Sequence, residues 1–195
     1  MMQDMQTGFA GFDPPVATDR LFLAIFPDAE TAARISALAA TQCRLQGLHG
    51  KPLRTDRLHV TLFHLGDWAG VPDDVVAAVG RAVDPMHEPG FELAFDVVMS
   101  FATRRAQKPF VLKAAPGNQA LHGFRSRLAR MLGNAGLVRW TRGGFEPHVT
   151  LAYDTRLVSP QAVEPLVWPA RELVLVHSLL GQTRHVPLAR WALAG

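Results

Sequence analysis

The sequence predicts a mixed α/β fold, of the α+β kind, in which two similar lobes surround one cleft. Two observations predict it. Runs with strand periodicity alternate with three stretches of helical spacing, in the order β-α-β-α-β-β-α-β-(α)-β-β, with a short helix allowed before the last two strands. The tetrapeptide His-Val-Thr-Leu also occurs twice, at 59–62 and 148–151, almost half the chain apart and each time in a strand that follows a helix. The repeat is too brief for a solenoid, and no low-complexity linker divides the halves. One two-lobed domain over 20–195 is therefore expected, after a loose leader over 1–19.

Each element has its own reason. Arg20 to Phe26 is a short apolar run closed by Pro27-Asp28, a buried strand followed by a helix start. From Asp28 to Cys43 the apolar residues, Ile35 and Leu38 among them, keep helical spacing until Gly47 and Gly50 break it. Leu58 to Leu65 is the strand of the first repeat. Val75, Val76, Val79 and Val83 make one stripe on a helix over 72–83, which Pro85 ends. Phe91, Leu93, Phe95, Val97 and Met99 alternate with polar residues such as Glu92 and Asp96, a half-buried strand. Another short strand covers 109–114. The clearest amphipathic helix runs over 118–132, with Leu121, Phe124, Leu128, Met131 and Leu132 on one side, and Gly133 and Gly136 stop it. The second repeat lies in a strand over 147–153. Strands over 172–180 and 185–193 follow, joined by a hairpin turn at Gly181-Gln182-Thr183.

Composition narrows the class. The 195 residues are 48% hydrophobic, enough for a substantial core, yet no apolar run reaches the roughly 20 residues that span a bilayer. The leader has no basic-then-apolar segment, so no signal peptide is expected. A single cysteine, Cys43, excludes an intramolecular disulfide and reads as a small buried hydrophobe, in keeping with a reducing cytoplasm. The net charge is only +3, but all the basic residues except Lys51, Lys108 and Lys113 are arginine. Arginine suits phosphate and base contacts; a GC-rich coding bias explains it equally well.

The repeat carries the chemistry. Positions i and i+2 of a strand share a face, so each copy presents an imidazole beside a hydroxyl: His59 with Thr61, and His148 with Thr150. Two facing copies would supply a proton acceptor, a proton donor and two hydroxyls for the non-bridging oxygens of a phosphoester. Nothing else competes. His64 follows His59 by an odd offset, so on a regular strand the two face opposite ways and share no metal. His49, His87 and His122 fall in loop or helix-surface contexts, and His177 and His185 flank the last hairpin as structural residues. No His/Cys/Asp/Glu cluster has metal-ligand spacing, and no cofactor is expected. There is neither a Gly-rich phosphate loop nor a Gly-x-Ser-x-Gly turn.

These motifs resemble the two-histidine (2H) phosphoesterases, in particular the bacterial and archaeal RNA 2′,3′-cyclic phosphodiesterases of the 2′-5′ RNA ligase family. The resemblance runs from Arg20 to about Leu193. It includes the opening Arg-Leu-Phe-Leu-Ala-Ile, Leu-His-Val-Thr-Leu-Phe-His-Leu-Gly at 58–66, Phe-Glu-Pro-His-Val-Thr-Leu-Ala at 145–152, and the closing Leu-Ala-Arg-Trp. It implies a bilobal fold with two antiparallel sheets and outer helices around a central cleft. It further implies metal-independent opening of cyclic phosphates at RNA 3′ ends, or of cyclic nucleotides, to 2′-phosphates. His59, Thr61, His148 and Thr150 inherit the catalytic roles, with His59 protonating O3′ and His148 activating water; the sequence by itself does not choose between these. Two departures stand out. Tyr153 replaces an arginine common in the family, for which Arg142 or Arg156 could substitute, and His64 replaces a hydrophobic residue or lysine.

On the substrate side, Lys51 and Arg54 precede the first motif strand, and Arg104 and Arg105 sit in the loop after the Phe91 strand, where they could meet RNA phosphates. Phe145, Trp140 and Tyr153, near the second motif, could stack a terminal base. A monomeric cytoplasmic enzyme is expected. Competing readings are 2′-5′ ligation by the same site, another 2H substrate such as a 2′-5′ oligonucleotide, and a non-catalytic module that binds RNA ends.

Overall fold

The computed structural model describes residues 16–114 and 117–194. The leader expected over 1–19 falls largely outside the described residues. The first strand, β1, covers Asp19–Ile25. Asp28 then starts α1 (Ala29–Leu45) by accepting the Thr31 N–H at 2.8 Å, an N-cap that satisfies one orphan donor of the first turn. A 3₁₀ turn at Thr55–Arg57 leads into β2 (Val60–Trp68), and α2 (Asp73–Val83) follows Pro72. Next come β3 (Phe91–Ser100), β4 (Lys108–Lys113) and α3 (Gln119–Leu132). Asn118, just before α3, bonds through its side-chain amide to both backbone groups of Ala94, which fastens the helix start to β3. The helical path does not stop at Gly133. It widens over Gly133–Leu137, where Gly136 takes φ +89°, and closes with α4 (Val138–Thr141).

After β5 (His148–Asp154) the sequence allowed a short helix, and the structure has a strand instead, β6 (Gln161–Ala170). Pro165 and Pro169 make a helix costly here. Leu166, Trp168 and Ala170 alternate into the core, with Trp168 stacked on Phe95 at 4.9 Å between ring centres. The prolines are tolerated because β6 is an edge strand. The final hairpin, β7 (Glu172–Leu179) and β8 (Arg184–Ala192), turns where expected, with Gly181 and Thr183 at positive φ.

The strands run in the order β6-β3-β4-β5-β2-β1-β7-β8, every neighbour antiparallel. The two expected sheets are thus four-stranded halves of one sheet. They meet through β2 and β5 at one registered pair, Val60 opposite Val149. These are the valines of the two repeats. Side chains from α1, α2, α3 and one face of both halves form a continuous apolar core. On the opposite face of β1 and β7 lies a small separate cluster of Phe22, Ala24, Val174 and Val176, with Phe26 against it. Among the described residues no helix is long and apolar enough to cross a membrane.

The loop before the first repeat is tied to the end of the second. Asp154, 3% exposed, accepts the backbone N–H groups of His49 at 2.6 Å, Gly50 at 2.7 Å and Arg156 at 2.9 Å. These bonds hold its carboxyl below the usual carboxylate range. Truncating it would strand three donors. Asp154→Ala is expected to lower the unfolding free energy by about 2–3 kcal/mol, read as a lower urea midpoint at unchanged slope.

Candidate active site

The two repeats are alike beyond their letters. Along β2 and its preceding residue, the side chains from His59 to Leu65 run half-buried, buried, half-buried, buried, buried, exposed, buried. From His148 to Asp154 the sequence of states is the same. Perfect alternation fails in both copies at one place, because a single extra residue is inserted after the threonine. Leu23 and Ala24 pair with Phe63 and Thr61, so Leu62 is the surplus residue; Phe110 and Val111 pair with Ala152 and Thr150, so Leu151 is its counterpart. Each insertion is a β-bulge, which shifts the parity of everything beyond it. β2 has a second bulge between His64 and Asp67, where Gly66 takes φ +107°.

The bulges overturn the parity expectation for His64. An odd offset on a regular strand would turn it from His59, but with Leu62 inserted His59, Thr61 and His64 line the same cleft. Tyr153 stands at the matching position of the second repeat and lines it too, with His148 and Thr150. The antiparallel register of Val60 and Val149 sets His59 across from Thr150, and Thr61 across from His148. Among the described residues no group of three or more His, Cys, Asp or Glu is arranged to hold a metal ion.

Both imidazoles are oriented the same way. His59 Nδ1 lies 2.7 Å from the carbonyl of Arg57, and His148 Nδ1 lies 2.7 Å from that of Glu146, each two residues upstream. A carbonyl only accepts, so in the neutral ring Nδ1 carries the proton and Nε2 keeps its lone pair. The surroundings differ. His59 is stacked on Phe22 at 4.9 Å, with Phe26 at 5.4 Å and the edge of His185 at 5.3 Å. Burial pushes its pKa down to about 4, and the nearby His185, Arg57 and His148 add to the effect against the bond to the Arg57 carbonyl. Among the described residues the aromatic contact of His148 is an edge contact with Phe101, at 4.9 Å between ring centres.

Residues that sequence reasoning overlooked complete the cleft. His185, read as structural, reaches in from β8; its Nε2 lies 3.4 Å from an Arg57 Nη, and burial with the Arg57 charge pushes its pKa down to about 4. Arg57 has no ion-pair partner among the described residues, and its Nε, like His185 Nδ1, is buried without a hydrogen bond. Arg20 and Ser178 also line the cleft. Arg20 holds Asp67 through two 2.7 Å bonds and lowers its carboxyl pKa to about 2, while His64 Nε2 lies 3.0 Å from the same Asp67. Arg57 precedes His59 by two residues, but it lies in the 3₁₀ turn and not on the strand, so strand parity does not locate it. By contrast His177 does serve the scaffold, through its bond to Asp19.

The remaining sequence candidates separate. Arg142 and Phe145 line a second groove that opens beside Thr61, His64 and His148. Lys51, Arg54, Arg104 and Arg105 line neither depression. Arg54 is held by Asp56 through 3.1 and 2.6 Å bonds, and Arg104 and Arg105 lie exposed on the β3–β4 connection. Arg156, one of two substitutes considered for the arginine absent at Tyr153, donates to the Gln46 carbonyl at the end of α1 and is not in the cleft lining.

The two depressed imidazoles fix a pH dependence. Between pH 6.5 and about 4 the unfolded chain protonates both His59 and His185, while the folded protein does not. Their contribution to stability is therefore complete above pH 6.5 and is lost as the pH falls toward 4. In urea unfolding from pH 4 to 7, the double substitution His59→Gln with His185→Gln is expected to flatten this rise; an unaltered slope would contradict the assignment.

Comparison with known proteins agrees with this geometry. Residues 11–182 match the 2'-5' RNA ligase superfamily. The RNA 2',3'-cyclic phosphodiesterase of Escherichia coli K12 is 29% identical over 179 residues, covering 89% of this chain and 96% of that protein. The crystal structure of E. coli LigT in apo form superposes with a TM-score of 0.70 at 25% identity, over 92% of this chain and all of that one. A crystal structure from Thermus thermophilus gives 0.63 at 26%, over 90% of this chain and 98% of that one. With a match over most of its length, the fold in common and both motifs in place on facing strands, the chain belongs to the 2'-5' RNA ligase superfamily of 2H phosphoesterases.

Proposed function

We propose that the protein hydrolyses 2′,3′-cyclic phosphates at RNA 3′ ends, and in small cyclic nucleotides, to 2′-phosphates without a metal ion. The observation that carries this reading is the pair of imidazoles, each with Nδ1 tied to a backbone carbonyl, each beside a threonine hydroxyl on the facing strand. It is supported by likeness to an RNA 2',3'-cyclic phosphodiesterase and to LigT, which has been crystallised with 3'-AMP.

In this reading water attacks phosphorus on the side opposite O3′. One imidazole takes the water proton through Nε2 as the new P–O bond forms. The other gives a proton to O3′ as the P–O3′ bond breaks, leaving a 3′-hydroxyl and a 2′-phosphate. Thr61 and Thr150 donate to the non-bridging oxygens, where negative charge gathers. Arg57, a cation without a carboxylate partner among the described residues, supplies the charge that Tyr153 cannot.

The family resemblance implies His59 as the acid. The surroundings favour the reverse split. His59, neutral in the free protein at pH 7, fits the base, and the more open His148 fits the acid. A leaving group that needs no proton separates the roles. On a nitrophenyl phosphodiester, His148→Ala should retain far more activity than His59→Ala; the opposite order would restore the assignment implied by resemblance.

On a cyclic-phosphate oligonucleotide, either substitution should cost at least 100-fold in turnover, the usual scale of general acid–base catalysis, with circular dichroism unchanged. EDTA should have no effect. Full activity in either variant would overturn the proposal.

A further inference from the structure

The second groove begins where the cleft ends. Thr61, His64 and His148 line both depressions, and the groove, about 450 Å³, continues to α3, α4 and the loop before β5. Three arginines face it: Arg125, Arg139 and Arg142. None has an ion-pair partner among the described residues. Glu146, also on its lining, is already engaged by Lys113.

Two of the arginines rest on aromatic rings instead of carboxylates. The Arg125 guanidinium lies between Phe63 and Phe145, 4.5 and 4.6 Å from their ring centres, and its Nε donates to the Leu62 carbonyl at 3.2 Å. Burial lowers its pKa, a sign of lost hydration that no neighbouring anion restores. Arg139 lies 3.8 Å over Trp140 and 5.8 Å from Trp68. Cations without anions beside flat apolar rings match one ligand chemistry well: a phosphodiester backbone with unstacked bases.

The covalent structure of the substrate supplies the direction. With its cyclic phosphate between His59 and His148, an RNA end continues only through the 5′-oxygen of its last nucleoside. The groove is the basic passage leading away from His148. We propose, building on the hydrolytic reading above, that it binds the RNA strand on the 5′ side of the reacting end. A backbone phosphate lies against Arg125, Arg139 and Arg142, and a base lies against Phe145 or Trp140. The enzyme then selects oligonucleotide ends over free cyclic mononucleotides.

The test compares kcat/KM for a tetranucleotide ending in a 2′,3′-cyclic phosphate with that for the corresponding cyclic mononucleotide. The wild type should prefer the tetranucleotide at least tenfold, and salt should weaken that preference. Arg139→Gln with Arg142→Gln, both on exposed positions, should reduce the ratio at least fivefold; Arg125→Gln, which also disturbs packing, serves as a second variant. Equal wild-type values, or a ratio untouched by the substitutions, would overturn the groove assignment. Anisotropy with a labelled 3′-phosphorylated tetranucleotide separates this from failure of the catalytic reading. Arginine-dependent binding without turnover would remove the hydrolysis and keep the groove. Binding that ignores the arginines would remove the groove.

Discussion

One inserted residue in each repeat is the constraint on which the site rests. A regular strand sends positions 59 and 61 to one face and position 64 to the other. The extra Leu62 lets the strand bury two successive side chains, Leu62 and Phe63, and then resume with His64 on the cleft side. Leu151 does the same for Ala152 and Tyr153. Both bulges sit one residue past the threonine, beside the Val60–Val149 pair that joins the halves. The two strands share one registered pair there, and the cleft lies on the side where both repeats present their histidine and threonine.

The cleft is basic without being crowded with charge. Arg20 is neutralised by Asp67, which His64 shares, so this wall is a fixed hydrogen-bonded frame. Arg57 is different. Its backbone carbonyl orients His59, its side chain reaches His185, and no acid answers it among the described residues. A partly desolvated cation of this kind favours an arriving anion, because the anion restores interactions that burial removed.

The sequence was most legible where the physics is local. Strand parity within three residues was enough to pair His59 with Thr61 and His148 with Thr150, and helical spacing located α1, α2 and α3 within a few residues. Parity failed beyond the bulge, since nothing in Leu62 or Leu151 distinguishes an inserted leucine from a regular one. His185 was missed because it comes to His59 from a hairpin more than a hundred residues later, across β1 and β7. Nearness in sequence also misled. Lys51 and Arg54 immediately precede the motif, yet a 3₁₀ turn and the Arg54–Asp56 pair keep them out of the cleft lining, whereas Arg20, from a different strand, is within it. β6 was open to a helical reading because its prolines speak against a helix without naming the strand, β3, that receives them.

Two identical tetrapeptides cannot by themselves divide acid from base; a symmetrical pair would titrate alike. The symmetry is broken by what each imidazole touches. His59 lies on Phe22, near Phe26 and His185, on a face where β1 and β7 have already excluded water. His148 meets one ring edge and opens onto the arginine-lined groove. Desolvation disfavours the charged form on the His59 side, so the repeat that duplicates the functional groups also places them in unequal media. The division of labour then belongs to the flanking strands and not to the motif. Substitutions at Phe22 or Phe26 would therefore change how readily His59 takes a proton while leaving all four motif side chains intact.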